Sequence, residues 1–179
     1  MGMAEVYTNR VYAPDPNHPV QRWWVTPDLM IGGSICDQTD WEHLAKDFGI
    51  RSVLNVETEH SDEGKGIPNL SECRVPDDGT PFNVDTVRHA VSFAKMMIGL
   101  GPIYVHCQMG GSRSPAFGYA VLRWVHHMDS MAALHTIRNG KDWSLKAQNG
   151  QLVGGAGLPY GDHRYHQVYL SSVEAALRV

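Results

Sequence analysis

Cys107 and Arg113 stand six positions apart in the run His106-Cys107-Gln108-Met109-Gly110-Gly111-Ser112-Arg113-Ser114. Set between a buried strand and a helix, such a run can converge successive backbone N–H groups on one point. Helix N-termini leave donors unpaired and carry partial positive charge, and Gly110 and Gly111 let the backbone wrap an anion without side-chain obstruction. The same field favours a sulfur anion at Cys107. Arg113 returns to the mouth of the turn, where its planar fork can hold two phosphate oxygens and the charge that spreads over them in a transition state. Gln108, Met109, Gly110, Gly111 and Ser112, with Arg113, are therefore the candidate phosphate cradle. The chemistry this permits is attack of sulfur on phosphorus, driven by positioning and electrostatics, with no metal or cofactor called for.

Departure of an alcohol or phenolate from phosphorus needs a proton, which a carboxylic acid on a loop can supply. Asp77 and Asp78 lie upstream in Pro76-Asp77-Asp78-Gly79-Thr80-Pro81. An Asp-Gly pair ahead of a helix is also a plain turn former, so the residues by themselves leave both aspartates and both roles open. Once deprotonated, the same acid can activate water against a cysteinyl phosphate. The Ser114 hydroxyl can reach the Cys107 sulfur or cap the following helix. His106 is expected to order the loop through a hydrogen bond to backbone rather than to act as a base.

The elements that must position these groups alternate between strand and helix. Pro102-Ile103-Tyr104-Val105 predicts the strand that delivers Cys107, and Ser114 to about His127 the helix that follows. Ser52-Val53-Leu54-Asn55-Val56 has the composition of a strand buried on both faces. Trp23 to Ile31, turned at Thr26-Pro27-Asp28 and closed by Gly32-Gly33, predicts two short strands, and Cys73 to Val75 another. Thr39-Asp40-Trp41-Glu42 has the form of a capping box for a helix reaching Phe48. Asn83 is the expected N-cap of a helix with Val84, Val87, Val91, Ala94, Met97 and Ile98 on its apolar stripe. Further helices are expected from Ser130 to Asn139, and after a capping Asp162 with Tyr165, Tyr169, Val173 and Leu177 inward.

Residues 1–22, with Pro14, Pro16 and Pro19, read as a surface arm, and 23–179 as one domain. The acidic stretch from Glu57 to Asn69 reads as a solvated loop, and Gly154-Gly155-Ala156-Gly157 as a connector. The expected fold class is α/β, with a central, mainly parallel, mixed sheet of about four or five strands and helices on both faces.

The 179 residues are 42% hydrophobic and 19% charged, which suits one domain with a real core. A formal charge of -4 gives no broad basic surface and disfavours a nucleic-acid partner. Three cysteines, Cys36, Cys73 and Cys107, form no disulfide framework and suit a reducing compartment. The N-terminal residues lack a signal-peptide pattern, and no apolar run approaches the ~20 residues of a membrane span, so a cytoplasmic, membrane-free monomer is expected.

Taken together, His106 to Ser114 resembles the signature of the cysteine-based protein phosphatase superfamily: His-Cys, five residues, Arg, then Ser or Thr. Gln108, Gly110, Ser112 and Ser114 make it look closest to the small dual-specificity branch. Thr26-Pro27-Asp28-Leu29-Met30-Ile31-Gly32-Gly33, followed by Phe48-Gly49-Ile50-Arg51-Ser52-Val53-Leu54-Asn55-Val56, is similar to that branch's entry strands and first helix, so the resemblance runs from about Trp23 to Gly140. It implies Cys107 as nucleophile, Asp77 rather than Asp78 as acid, and Ser114 as the hydroxyl that assists thiolate departure. It also implies a pocket shallow enough for phosphotyrosine and for phosphoserine or phosphothreonine on a phosphorylated protein. Phosphoinositide or RNA 5'-phosphate substrates, which tend to go with extra loop cations, and a catalytically weak phospho-binding module are the alternatives. The resemblance weakens after Gly140, where Asn149 is only a candidate support for the loop.

The remaining chemistry-bearing residues have plainer readings. His126, His127, His163 and His166 read as helix-end surface residues rather than ligands. Met96, Met97, Met128 and Met131 read as core, as do Trp23, Trp24 and Trp41, with Trp24 near enough to border the pocket. Cys36 and Cys73 read as buried thiols, either of which is a candidate to trap oxidised Cys107.

Overall fold

The computed structural model describes residues 12–15, 18–20, 22–138, 160 and 164–178. The expected connector at 154–157, Asn149, the capping Asp162, His163 and the end of the fourth helix at Gly140 lie outside them. Within the described part of the expected arm, β1 (Tyr12–Asp15) and β2 (His18–Val20) pair antiparallel. The sheet proper comprises β3 (Arg22–Thr26), β4 (Leu29–Gly32), β5 (Ser52–Asn55), β6 (Leu70–Glu72) and β7 (Ile103–His106), in the order β3-β4-β7-β5-β6. Three of its four pairings are parallel, and the β3–β4 hairpin is antiparallel. This is the expected mixed α/β sheet. Its edge strand β6 comes earlier than the expected strand from Cys73 to Val75, because Leu70–Glu72 pairs with β5 and the chain then leaves the sheet.

Alternation along the strands sends one set of side chains to each face. Trp24, Met30, Val53 and Tyr104 join Ile35, Trp41, Leu44 and Ile50 under α1 (Gln38–Asp47). Val25, Leu29, Ile31, Leu54, Ile103 and Val105 face the larger core. That core is closed by α2 (Val84–Ile98), α3 (Arg113–Trp124), α4 (Ser130–Arg138) and α5 (Arg164–Leu177). Asn83 caps α2 as expected, accepting from the N–H groups of Asp85 and Thr86. Helix α3 is buried from Arg113 to Leu122 and packs so closely on β4 that a Cβ at Gly118 would lie 2.9 Å from Ile31 Cγ2.

Several local expectations change. The cap of α1 is Asp37, whose carboxylate accepts from Asp40 N–H, and not Thr39. Asp40 is instead buried and grips Arg22 with both oxygens, each at 2.6 Å. Arg22 also donates to Tyr104 Oη and Ser34 O, and Tyr104 donates to Gly33 O. The arm therefore ends before Arg22, which belongs to the sheet and pins the turn after β4. Met96 and Met131 are exposed, because they sit on the outer faces of α2 and α4, whereas Met97 and Met128 are partly buried. Trp24 packs on Phe48 in the core under α1. Cys36 is only partly buried. Among the described residues no helix is long and apolar enough to cross a membrane.

Burial pushes the Asp40 carboxyl up, but the hydrogen bonds and charge of Arg22 outweigh it and hold it below the usual carboxylate range. Asp40→Asn leaves a buried guanidinium without its counter-charge and is expected to cost about 3 kcal/mol, read from urea midpoints at pH 7. A depressed folded value means the contribution is complete above the unfolded-chain value of about 3.9 and is lost as pH falls through the folded one. The gap between wild type and Asp40→Asn should therefore narrow in acid.

Candidate functional site

Gly32, His106, Asn55 and Glu72 are successive Cα partners across four parallel strands, so the loops after β4, β7, β5 and β6 leave the sheet along one line. The carboxyl ends of parallel strands are where α/β sheets place their ligands. The loop from Cys107 to Ser112 is tied to both neighbours. Cys107 N–H donates to Gly32 O, Val56 N–H to His106 O, and Ser34 N–H to Gln108 O. Gly110 is buried with φ +83, a left-handed conformation that favours glycine. Gln108, Met109 and Gly111 are exposed around it. Helix α3 starts at Arg113 with Ser112 as N-cap, one residue earlier than expected.

Cys107 is 2% exposed. Its thiol donates to Ser114 Oγ at 3.4 Å, and Ser114 in turn donates to Gly32 O at 2.9 Å. A hydroxyl has one proton, so in the thiol state Ser114 is an acceptor for sulfur. Turning that proton from Gly32 O to sulfur would make Ser114 a donor to the thiolate.

Arg113 is 1% exposed, and its hydrogen bonds divide the guanidinium into two edges. Nη1 donates to Glu59 Oε2 and Val75 O, and Nη2 to Glu59 Oε1, all at 2.8 Å. Of five N–H donors, this leaves Nε–H and one Nη2–H, which lie along one edge of the planar group. Nε is buried with no hydrogen-bond partner, which is costly for a charged donor and leaves that edge able to accept an anion. Burial pushes the Glu59 carboxyl up, but Arg113 holds it below its usual range, so Glu59 stays anionic at neutral pH.

The two aspartates part company. Asp77 Oδ1 accepts from Tyr169 Oη at 2.8 Å and Ser112 Oγ at 3.1 Å, while Oδ2 lies 3.8 Å from Arg113 Nε. Asp78 is exposed and turned to Thr80, whose N–H and hydroxyl it accepts. Geometry thus brings Asp77 to the loop and leaves Asp78 as a turn former.

His106 does not meet backbone through its ring as expected. Nε2 pairs with Asp62 Oδ2, and Nδ1 has no partner. Asp62 also accepts from Lys65 Nζ, which donates to Ile35 O. Beside this pair, Ser34 Oγ donates to Glu57 and lies 3.3 Å from Gln108 O. The 57–69 segment is a loop that is solvated only in part: Glu59 and Glu63 are exposed as expected, but Glu57 and Asp62 are each 1% exposed, and burial pushes the Glu57 carboxyl above its usual range. Glu59, Asp62, Ser34 and Tyr169 are the site residues that sequence reasoning missed. One signal existed for Glu59: a buried arginine demands a carboxylate, and Glu57-Thr58-Glu59 follows directly on the strand paired with β7.

No family model and no curated protein sequence matches the chain. Solved structures do. Human DUSP28 superposes with a TM-score of 0.62 at 17% identity, over 86% of this chain and 93% of that one. PTPMT1 in complex with PI(5)P gives 0.61 at 16% identity, over 87% and 96%. P. aeruginosa TpbA in complex with phosphotyrosine gives 0.58 at 16% identity, over 94% and 93%. The chain therefore has the fold of the cysteine-based phosphatases, in its small dual-specificity-like form.

An open guanidinium edge beneath an exposed glycine turn should take a tetrahedral oxyanion. Titrating tungstate or inorganic phosphate is expected to raise the thermal midpoint of the wild type. Arg113→Lys, which keeps the charge but not the fork, should lose most of that rise.

Proposed function

We propose that this chain, built on the cysteine-based phosphatase fold, hydrolyses phosphomonoesters on proteins through a cysteinyl-phosphate intermediate. The observation that carries the proposal is the Nε–H edge of Arg113, which has no hydrogen-bond partner at Nε, is set with Cys107 on one loop and lies 3.8 Å from Asp77 Oδ2. In the first step the Cys107 thiolate bonds to phosphorus. The bond from phosphorus to the leaving oxygen breaks, its electron pair goes to that oxygen, and Asp77 supplies the proton. In the second, water attacks phosphorus and gives a proton to the Asp77 carboxylate, and the sulfur–phosphorus bond breaks with its pair returning to Cys107. Ser114 stabilises the departing thiolate. The backbone of Gln108, Met109, Gly110, Gly111 and Ser112 and the open edge of Arg113 hold the equatorial oxygens. His106, held by Asp62, orders the strand end that carries the nucleophile.

The charge around the cradle supports this substrate class. Gln108, Met109 and Gly111 expose no cation, and Glu59 and Asp77 add negative charge beside it. A single phosphate on a protein side chain suits this better than a headgroup or RNA end carrying several. Exposed Met109 offers an apolar contact to the ring of phosphotyrosine. Three free cysteines suit a reducing compartment.

With a phosphotyrosyl peptide, Cys107→Ser is expected to abolish turnover and Asp77→Asn to lower kcat by about a hundredfold. Asp78→Asn should leave the rate within about twofold, since its side chain bonds only within its own turn. Faster turnover of a phosphoinositide in vesicles than of phosphopeptides would reassign the substrate. Unchanged turnover in Cys107→Ser would remove the mechanism.

A further inference from the structure

Helix α5 reaches the acid loop from 92 positions away through Tyr169. The Tyr169 side chain is fully buried, its ring stacked on Phe82 with centroids 4.3 Å apart and planes at 20°. Its hydroxyl makes two bonds to one loop: it accepts from Gly79 N–H at 3.1 Å and lies 2.8 Å from Asp77 Oδ1. A backbone N–H can only donate, so the phenolic proton is left for Asp77. Burial pushes the Tyr169 hydroxyl up to about 12, so it keeps that proton at any working pH. Ser112, whose side chain does not cap α3, donates to the same Oδ1 at 3.1 Å.

Two donors on Oδ1 occupy its lone pairs, which leaves Oδ2 as the atom that can carry an acid proton. Oδ2 is also the oxygen that faces Arg113 Nε, at 3.8 Å. The loop has little room to settle elsewhere. Gly79 has φ +79, and a Cβ there would lie 2.5 Å from the Tyr165 ring, one turn before Tyr169 on α5. The helix itself is anchored by Glu174, which accepts from Tyr119 and Arg123 of α3, and by Arg88 of α2, which donates to Ala176 O.

We infer that Tyr169 is a positioning residue for the proposed reaction: it holds the acid loop closed and directs the Asp77 proton to Oδ2, toward the leaving oxygen. The assignment rests on the hydrolase reading above. It concerns only the step in which phosphorus leaves its alcohol, because only there does Asp77 give up a proton.

The test compares kcat/KM of the full chain for two esters. Phenyl phosphate, with a leaving-group pKa of about 10, needs protonation, and 4-nitrophenyl phosphate leaves as a stable anion. Tyr169→Phe is expected to lower the phenyl-to-nitrophenyl rate ratio about tenfold, the scale of one lost hydrogen bond to a charged group. In an Asp77→Asn background it should change the ratio no further. Both esters are read on one sample, so the ratio is independent of how much of the variant is folded. Phe82→Leu, which loosens the stack but keeps the hydroxyl, should lower both rates alike. An equal loss on both esters in Tyr169→Phe, or a further fall of the ratio in the double variant, would overturn the assignment. Wild type with no Cys107-dependent turnover of either ester would overturn the hydrolase reading and this assignment with it.

Discussion

The bidentate contact between Glu59 and Arg113 decides what the site can hold. A guanidinium that is 1% exposed must have most of its donors met, and Glu59 with Val75 O meets three of five. The remaining two share an edge, and Nε lies 3.8 Å from Asp77 Oδ2. A site with Arg113 satisfied on all sides would have no use for an anion. One with Arg113 unsupported would pay for a buried charge without a fixed orientation. The carboxylate does both things at once, cancelling charge at the back and fixing the plane at the front.

The sheet makes that contact possible by bringing strand ends into register. Because Gly32, His106, Asn55 and Glu72 line up, the residues just beyond them meet without long connections. Ser34 reaches Gln108 O, Glu59 reaches Arg113, and Val75 O completes the guanidinium. The same register explains why paired acids accumulate after β5, Glu57 and Asp62 buried and Glu59 at the surface. Each has a partner delivered by a neighbouring strand: Ser34 for Glu57, Arg113 for Glu59, His106 for Asp62. Arg22, Asp40 and Tyr104 hold the β4 turn from the other face of the sheet, tying the small core under α1 to the site.

The loop of Asp77 belongs to a different part of the molecule. It has no strand to fix it, and its order comes from α5, which lies against α2 and α3 through Glu174 and Arg88. Packing of the helical layer is thus converted into the position of one carboxyl group. Fold likeness to phosphatase structures at 16–17% identity carries none of this detail, which lies in the hydrogen bonds of this chain.

How much was legible in advance follows from the range of the interactions involved. The strand entering Cys107, the glycine turn, the N-cap at Asn83 and the alternation of strand and helix are local patterns, and the α/β sheet followed from them. Cys107, Arg113 and Ser114 were readable because seven or eight consecutive residues carry them. The preference for Asp77 over Asp78 came from the resemblance, and only the fold puts Asp77 beside Ser112 and a tyrosine from α5. The partners of Arg113, His106 and Asp40 were not readable at all, since a carboxylate in a sequence looks the same whether it is solvated or buried. Burial and pairing depend on which strand ends adjoin, and that is decided only when distant segments are brought together and each buried charge must find its opposite.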